Sequence, residues 1–283
     1  MFWFIVAKIY IRVYGICRDR FGITLRGMGF VLRLVHTDHV LDVAGKKLYF
    51  NHKVATCYNR LVNGEFNEPE THVFLKRIFE SSRDNAIFID VGANVGEMIV
   101  DVARYPNVVR VLGFEPNAEC VRACRKTAAL NEYRHVQIVE KVLNADGTAV
   151  QMFADATPLA SSIVDKGNRP EMTVGATTLD AELLKFREPA VILIDVEGAE
   201  ALVLQGGKRY IQAARPLIIF EYNDVSRKFF SLDTIRTLLG GTYAVFRLRH
   251  DGLLDQSFEE TWNCVAVSSD SGFFDACQSL IAR

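Results

Sequence analysis

The stretch that decides the fold reads FIDVGANVG and covers residues 88–96. Its first half is an apolar, β-branched run typical of a buried strand, and its second half is a tight glycine turn that opens a helix. In this arrangement the amides of the helix N-terminus point at a ligand that approaches the backbone closely. The stretch therefore predicts a strand–turn–helix unit that binds a nucleotide-like ligand.

Short apolar runs and longer amphipathic stretches alternate on both sides of this unit. The strand-like runs cover 86–91, 109–115, 136–142, 190–196 and 217–222. The helix-like stretches cover 95–104, 117–130 and 199–213. Nearly continuous apolar strands that alternate with helices indicate a parallel sheet covered on both faces. After a helix at 229–239, the runs 243–248 and 262–267 complete a seven-stranded, mostly parallel sheet, so the predicted fold class is α/β.

Carboxylates accompany the glycine turn and end the next strand. Asp90 directly precedes the first glycine, and the spacing G-A-N-V-G differs from the G-x-G-x-x-G of dinucleotide folds. A carboxylate there repels a pyrophosphate and suits a cationic ligand, such as the ammonium and sulfonium of S-adenosylmethionine. Glu115 ends the second strand, where a carboxylate accepts ribose hydroxyls, as it also does in nicotinamide enzymes. Asn117 either joins the site or caps the following helix.

Three more carboxylates follow the apolar strand at 190–196. The segment LIDVEGAE, residues 193–200, ends that strand with Asp195, Glu197 and Glu200, and Glu221 ends the next strand. Open α/β sheets bind ligands at the carboxyl edge of their strands, which is where these groups stand. A purely structural interpretation makes Asp195 or Glu197 a helix cap and puts Glu200 in a favourable first turn. We expect at least one of the carboxylates to serve in function.

Taken in order, these motifs resemble the FkbM-type methyltransferases. The resemblance rests on FIDVGANVG (88–96), FEPN (114–117), TTLD (177–180), IDVEGAEALVLQGG (194–207) and RPLIIFEYN (215–223), and covers roughly residues 64–223. It implies a class I methyltransferase fold of Rossmann-like type, S-adenosylmethionine as cofactor, and methyl transfer, usually to a hydroxyl oxygen of a sugar, polyketide or similar metabolite. One departure is Glu97-Met98, where family members often carry an aromatic residue.

The resemblance also implies roles for individual residues. Those it places at the methionine end of the cofactor are Asp90, Gly92, Asn94 and Gly96. Glu115 then binds the ribose, Asn117 and Asp195 adjoin the cofactor, and Asn144 lies in the loop expected to approach adenine.

The expected mechanism is in-line displacement at the sulfonium methyl by an acceptor oxygen. Asp195, Glu197 and Glu221 are the candidate general bases. They can instead hold a divalent cation such as Mg²⁺ that orients two acceptor hydroxyls, because carboxylate oxygens suit that ion. We prefer the version without a metal and assign no metal ligand.

Two other functions share parts of this pattern. An NAD(P)-dependent oxidoreductase has the same sheet and ribose carboxylate, but the glycine spacing and Asp90 oppose it. A non-catalytic module that binds a nucleotide in the same pocket is the second alternative. The complete DVEGAE segment, residues 195–200, argues against this module.

Composition and charge narrow the class of partner. The chain has 283 residues, of which 49% are hydrophobic and 24% charged, with a formal net charge of −1. These values exclude wholesale disorder, and the charge gives no indication of nucleic acid as a partner. Six cysteines without a C-x-x-C pair are interpreted as reduced thiols of a cytoplasmic protein. The six histidines include no H-x-x-x-H or H-x-H pair, which speaks against zinc.

Residues 1–63 form an N-terminal extension to the methyltransferase domain at 64–283. The extension includes a predicted hairpin with strands at 40–43 and 47–50, and a helix at 68–80 leads into the first core strand. The apolar segment MFWFIVAKIYIRVYGI, residues 1–16, is interrupted by Lys8 and Arg12, is too short to span a bilayer and lacks the features of a signal peptide. It either packs on the catalytic domain or a second subunit, or lies on an anionic membrane surface through residues 1–20.

A polar segment interrupts the α/β alternation. Asp146-Gly147 marks a turn, short strands are predicted at 151–153 and 172–176, and between them runs DATPLASSIVDKGNRP, residues 155–170. Beside an α/β core such a segment is either a lid or substrate loop, or a passive surface excursion.

Overall fold

The computed structural model describes residues 2–21, 28–153, 162–165 and 170–282. The strands are β1 (His39–Val43), β2 (Lys46–Phe50), β3 (Ala86–Val91), β4 (Val108–Phe114), β5 (Val136–Val139), β6 (Val142–Leu143), β7 (Val150–Phe153), β8 (Pro170–Val174), β9 (Ala176–Thr177), β10 (Ala190–Ile194), β11 (Leu217–Glu221), β12 (Tyr243–Leu248), β13 (Leu254–Asp255) and β14 (Asn263–Ser268). The helices are α1 (Phe2–Phe21), α2 (Met28–Arg33), α3 (Pro69–Ser81), α4 (Glu97–Val102), α5 (Ala118–Leu130), α6 (Leu179–Leu183), α7 (Glu200–Gln205), α8 (Lys208–Ala214), α9 (Leu232–Leu239) and α10 (Phe274–Ser279). Short 3₁₀ helices cover His52–Tyr58, Leu61–Asn63 and Ser226–Lys228.

One large sheet organises the chain, in the order β13-β12-β14-β11-β10-β3-β4-β5. The five strands from β11 to β5 pair in parallel, and β14, β12 and β13 add an antiparallel edge. The predicted α/β class with a mostly parallel sheet is confirmed. The sheet has eight strands where seven were predicted, because the two-residue strand β13 pairs with β12. So short a strand has no periodic pattern by which the sequence could reveal it.

Helices cover both faces of this sheet, as predicted. The apolar side chains of α3, α4, α5 and α10 pack on one face, and those of α6, α7, α8 and α9 pack on the other. Alternate residues of β3 serve the two faces: Phe88 belongs to the first core, and Ile87 and Ile89 belong to the second. By the same alternation, Asp90 projects toward the face covered by α3 and α4.

Two predicted elements are divided in the structure. The helix expected at 199–213 is the pair α7 and α8, separated by Gly206-Gly207, and a Cβ on Gly206 would overlap the carbonyl oxygen of Asn144. The strand expected at 136–142 ends at Val139. Its last part, β6, pairs in parallel with β9 in a separate small sheet. The strand is interrupted after Val139 because the backbone leaves the main sheet there to pair with β9.

The N-terminal extension packs on the outer side of α4 and α5. Its apolar side chains, including Ala7 and Ile11 of α1, share a core with Val100 of α4 and Ala123 of α5. Strands β1 and β2 form the predicted hairpin. Thus one face of α1 packs on the rest of the chain, and among the helices of the described residues none is long and apolar enough to cross a membrane.

The polar segment is only partly described. Strands β7 and β8 pair antiparallel, so the two short strands are present. Most of the predicted lid or substrate loop, residues 155–161 and 166–169, lies outside the described residues. Within the described part, Ser162 bridges to Phe153, and its hydroxyl donates to the carbonyl of Val196 at 3.0 Å. This stretch therefore contacts the turn that follows β10.

Candidate active site

A cavity of about 670 Å³ opens at the carboxyl ends of β3, β4, β10 and β11. Its volume falls within the range of small-molecule and cofactor sites. The residues of the predicted site that line it are Gly92, Asn94, Glu115, Asp195, Glu197 and Glu221. Residues from the ends of four separate strands thus meet in one cavity. Open α/β sheets usually bind their ligands at this carboxyl edge.

The glycine turn after β3 brings two backbone segments into close contact. Gly92 has a φ of +93°, and a Cβ on it would overlap the carbonyl oxygen of Asp195 and lie 2.9 Å from its carbonyl carbon. Asn94 also has a left-handed conformation, with a φ of 47°. Gly96 directly precedes α4 and packs against Cys124 outside the cavity lining. The turn therefore requires glycine at position 92 for a close approach of backbones, and that approach forms the cavity wall.

Glu115 is tied to the two turns that border the cavity. One of its carboxyl oxygens accepts a hydrogen bond from the amide of Asn94, and the other accepts one from the amide of Asn117, each at 2.9 Å. Burial raises the pKa of Glu115 to about 7, although the two amides oppose the shift. Carboxylate oxygens have lone pairs to spare beyond these two bonds. Glu115 can thus accept ligand hydroxyls while it holds the turns in place.

Asp90 lies behind the glycine turn and outside the cavity lining. Its side chain is buried, and burial raises its pKa to about 8, reinforced by the negative charges of Glu115 and Glu68. The alternation of β3 explains this position, because Asp90 faces the helices α3 and α4. The structure therefore separates Asp90 from Gly92 and Asn94, with which the sequence grouped it.

Asn117 and Asn144 of the predicted cofactor site also lie outside the cavity lining. The side chain of Asn117 caps α5 by accepting from the amides of Glu119 and Cys120, which is the structural alternative kept open above. The side chain of Asn144 closes its own loop: it accepts from the amide of Gly147 and donates to the carbonyl of Thr148. Leu143, next to Asn144, does line the cavity.

The three candidate bases come together in a cluster. One carboxyl oxygen from each of Asp195, Glu197 and Glu221 lies within 4.8 Å of the others. Burial, followed by the charge of Glu197, raises the pKa of Glu221 to about 8. Burial and the charge of Glu221 also raise the pKa of Asp195. Carboxyls so close together compete for ionisation, so each is a stronger proton acceptor than it would be alone.

Neighbouring side chains hold this cluster in position. Asn223 and Ser226 donate to the two carboxyl oxygens of Glu221, at 2.6 and 3.2 Å. Glu200 is fully buried and accepts from the amides of Val196 and Gly198, both at 3.2 Å. These hydrogen bonds stabilise the turn that contains Glu197, whose φ is 58°. Glu200 is therefore a positioning residue for the turn, in keeping with its predicted place in the first turn of a helix.

Sequence reasoning missed several side chains of the cavity. Glu68 lines it, accepts from Thr71 and Asn263, and has a pKa raised mainly by burial. Trp262 and His250 reach the same cavity from the antiparallel edge of the sheet. No local motif marks these three residues, because only the tertiary fold brings them to the strand ends.

The ionisable lining of the cavity is mainly acidic. Its carboxyl groups belong to Glu68, Glu70, Glu115, Asp195, Glu197 and Glu221, whereas its lysine and arginine side chains are Arg60 and Lys141. Concave sites lined by one sign of charge attract ligands of the opposite sign. The other side of the lining is apolar and includes Phe114, Val142, Leu143 and Met152. The cavity thus suits a ligand that combines a cationic part with a flat apolar part.

A model of the methyltransferase FkbM domain matches residues 90–248, more than half of the chain. The chain belongs to the FkbM methyltransferase domain family. The match begins at Asp90 and ends with β12. It therefore extends beyond the predicted segment 64–223 at the C-terminal end and leaves residues 64–89 unmatched. The resemblance itself is confirmed, and with it the class I methyltransferase type of fold.

Solved structures of methyltransferases resemble this FkbM-domain protein at low sequence identity. A methyltransferase FkbM from Methylobacillus flagellatus KT is 16% identical, with 76% of this chain and 54% of that chain covered and a TM-score of 0.47. TYW2 from M. jannaschii, solved with AdoMet, is 9% identical, with 83% and 86% covered and a TM-score of 0.44. This chain spans about half the length of the M. flagellatus protein. Among curated proteins none matches significantly.

Proposed function

We propose that this FkbM-domain protein is an S-adenosylmethionine-dependent methyltransferase that methylates a hydroxyl oxygen of a sugar, glycolipid or secondary metabolite. The observation that carries the proposal is one cavity in which the glycine turn, Glu115 and the carboxyl cluster meet. Each of these parts matches one part of the cofactor or of the reaction. The acceptor class follows from the family resemblance and from the proton acceptors at the cavity wall.

The cavity supplies suitable surroundings for the cofactor. Gly92 and Asn94 would line the methionine end, where the backbone approach is closest, and Glu115 would accept the ribose hydroxyls. The apolar wall at Phe114 and Leu143 suits adenine, with the loop of Asn144 beside it. Gly96 would shape the turn, and Asp90 would support it from behind. The acidic lining complements a sulfonium, which is a cation buried in a low-dielectric cavity.

The protein's part in catalysis is to position the reactants and remove a proton. When bound, S-adenosylmethionine supplies an electrophilic methyl group on a sulfonium sulfur, which keeps the bonding electron pair on transfer. Glu221, Asp195 or Glu197 would take the proton of the acceptor hydroxyl. A general base contributes about 10²–10⁴-fold in rate, and alignment of two reactants contributes as much as ~7–11 kcal/mol.

The same carboxyl cluster has ligands of the type that Mg²⁺ prefers. Oxygens of Asp195, Glu197 and Glu221 lie close enough to share one ion. We propose that one of these carboxylates acts as a general base without a metal ion. The effect of a metal chelator on activity distinguishes this mechanism from one in which the cluster holds Mg²⁺. If chelation abolishes transfer and Mg²⁺ restores it, the cluster holds a metal ion instead.

We also propose that the protein acts in the cytoplasm on an acceptor other than nucleic acid. All six cysteines are free, and thiols persist in reducing compartments. The cavity is acidic, whereas sites for nucleic acid are basic.

The test is transfer of a deuterated methyl group from labelled S-adenosylmethionine to a panel of sugar, glycolipid and polyketide acceptors, followed by mass spectrometry. We expect label on an oxygen of one acceptor class, and loss of it in Glu221→Gln. The matched control is Glu140→Gln, which removes an exposed carboxylate just after β5. A protein that binds S-adenosylhomocysteine but labels nothing in the panel fits a non-catalytic module, and the proposed acceptors would then be wrong.

A further inference from the structure

Helix α1 exposes an apolar stripe on the side away from the protein. Its large apolar side chains with an exposed fraction between 44% and 70% are Phe2, Trp3, Ile5, Ile9, Val13 and Ile16. Apart from Trp3, these residues follow one another at intervals of three or four, so they form a single face of the helix. Ala7 and Ile11, on the opposite face, are buried against the extension. The helix is therefore apolar both toward the protein and toward solvent.

The charged residues of α1 are mainly basic. Lys8, Arg12 and Arg20 are exposed on the same helix, and the sequence of α1 has four basic residues against the single acidic residue Asp19. On helix α2, which packs against α1, Phe30 is also 69% exposed. Isolated exposed apolar residues are ordinary, but a contiguous apolar stripe with a basic border is typical of an interaction surface.

We propose that the exposed face of α1, which we call the α1 stripe (Phe2, Ile5, Ile9, Val13 and Ile16), docks on an anionic lipid bilayer. An amphipathic helix with basic residues beside its apolar face lies in the interface of such a membrane. Lys8, Arg12 and Arg20 would contact lipid headgroups, while the stripe enters the boundary of the acyl chains. The helix lies on the membrane and does not cross it, in agreement with its limited hydropathy.

The basic residues of α1 favour an anionic bilayer over a second copy of the chain as the partner of the α1 stripe. In a twofold pairing of two α1 helices, Lys8 and Arg12 of one copy would approach the same residues of the other. Like charges brought together in an interface cost free energy, whereas an anionic surface attracts all three basic side chains. The stripe thus matches an anionic bilayer better than it matches itself.

The position of α1 connects this surface to the cavity. The helix packs against the 3₁₀ helix Leu61–Asn63, and Asn59 and Arg60, directly before that helix, line the cavity. Docking of α1 would hold this part of the cavity wall next to the membrane-bound helix. An acceptor embedded in the same membrane, such as a glycolipid, would be presented there. This last step rests on the proposed methyltransferase function, but the docking itself does not.

The test is co-sedimentation of the full chain with vesicles that contain phosphatidylserine, compared with vesicles of phosphatidylcholine alone. We expect binding to the anionic vesicles only, and less of it at high salt. Lys8→Glu/Arg12→Glu should lower the partition coefficient by at least about 25-fold, because each basic residue near an anionic surface contributes about fivefold. Ile5→Ser/Ile9→Ser should lower it by at least about tenfold.

Two controls match these changes elsewhere on the surface. Lys208→Glu/Arg209→Glu makes the same change of charge at exposed positions of α8, and Val109→Ser removes an exposed apolar side chain of β4. Both should bind vesicles as the wild type does. S-adenosylhomocysteine binding and thermal melting in solution show whether each variant is folded and keep this proposal separate from the proposed function.

Two results would overturn the docking proposal. One is a folded wild type that does not bind anionic vesicles, or whose binding is unchanged in both α1 variants. The other is a dimer in sedimentation velocity that Ile5→Ser/Ile9→Ser dissociates, because the α1 stripe would then be an interface between two copies of the chain.

Discussion

Replacement of Gly92 by alanine tests how closely the turn after β3 must approach the segment after β10. A Cβ at this position would overlap the carbonyl oxygen of Asp195 and lie 2.9 Å from its carbonyl carbon. Carbon atoms in contact lie about 3.5–4.0 Å apart, so the contact with the carbonyl carbon alone requires the two segments to separate by roughly 0.5–1 Å, and the overlap with the oxygen requires more. In addition, a residue with a Cβ in a left-handed conformation costs about 1–2 kcal/mol.

Together these costs give Gly92→Ala a loss of about 3 kcal/mol in the free energy of unfolding, within the range seen for strained sites. For a chain of this size, that loss lowers the melting temperature by about 6–12 °C. Because Gly92 and Asp195 both line the cavity, the shift would also move the proposed cofactor site away from the carboxyl cluster. A displacement of about 1 Å can lower the rate of transfer by about 10²-fold.

Thermal melting and calorimetric titration with S-adenosylhomocysteine measure the two effects. The control is Gly241→Ala, where a Cβ would meet nothing within 4 Å and the backbone has no positive φ. This variant should melt within a degree or two of the wild type and bind the ligand equally well. If Gly92→Ala melts and binds as the wild type does, the close approach of the two segments is not a feature of the molecule, and our explanation of the glycine turn is wrong.

Three further predictions concern charged groups. Glu115→Gln should weaken binding of S-adenosylhomocysteine by about 10–150-fold, because a hydrogen bond to a charged group is worth about 1.5–3 kcal/mol; calorimetry measures it. Burial and the charge of Glu197 raise the pKa of Glu221 to about 8, so transfer by the wild type should rise with pH through about 8, and Glu221→Gln should lose about 10²–10⁴-fold in rate. Hydrogen bonds from His72 to Asp101 and Glu97 overcome the effect of burial and raise its pKa to about 9. The protonated His72 side chain then contributes fully to stability below pH 6.5, and this contribution is lost as pH rises through 9. Between these two pH values the free energy of unfolding should therefore fall by up to about 3 kcal/mol less in His72→Gln than in the wild type, as measured by denaturant unfolding.

Each of these predictions has a contradicting result. Glu140→Gln, which removes an exposed carboxylate near the same edge, serves as the control for Glu115 and Glu221, and equal affinities in all variants would refute the ribose role. A rate that does not change between pH 6 and 9 would mean that Glu221 does not accept the proton. An identical decline of stability in wild type and His72→Gln would show that His72 is not held in its charged form.

The strands at the centre of the sheet were predictable from the sequence because burial on both faces demands an uninterrupted apolar run. The runs at 86–91, 190–196 and 217–222 were thus located to within two residues of β3, β10 and β11. The short strand β13 and the break between β5 and β6 were not, since so few residues show no periodicity. Pairing with a distant partner, rather than local preference, makes these segments extended.

The sequence predicts those residues of the candidate site that lie at the ends of the central strands. Asp195, Glu197 and Glu221 were expected together and lie together. Asp90 was placed with the glycines that follow it, although the two-residue alternation of β3 turns its side chain toward α3 and α4. Glu68 comes from outside the strand ends, so only the packing of α3 brings it to the cavity.

The measurement that tests the central claim most directly is calorimetric titration of the wild-type protein with S-adenosylhomocysteine, with NAD⁺ as the comparison ligand. We predict one site of micromolar affinity for S-adenosylhomocysteine and no detectable binding of NAD⁺. Binding of NAD⁺, or the absence of S-adenosylhomocysteine binding to folded protein, would contradict this prediction.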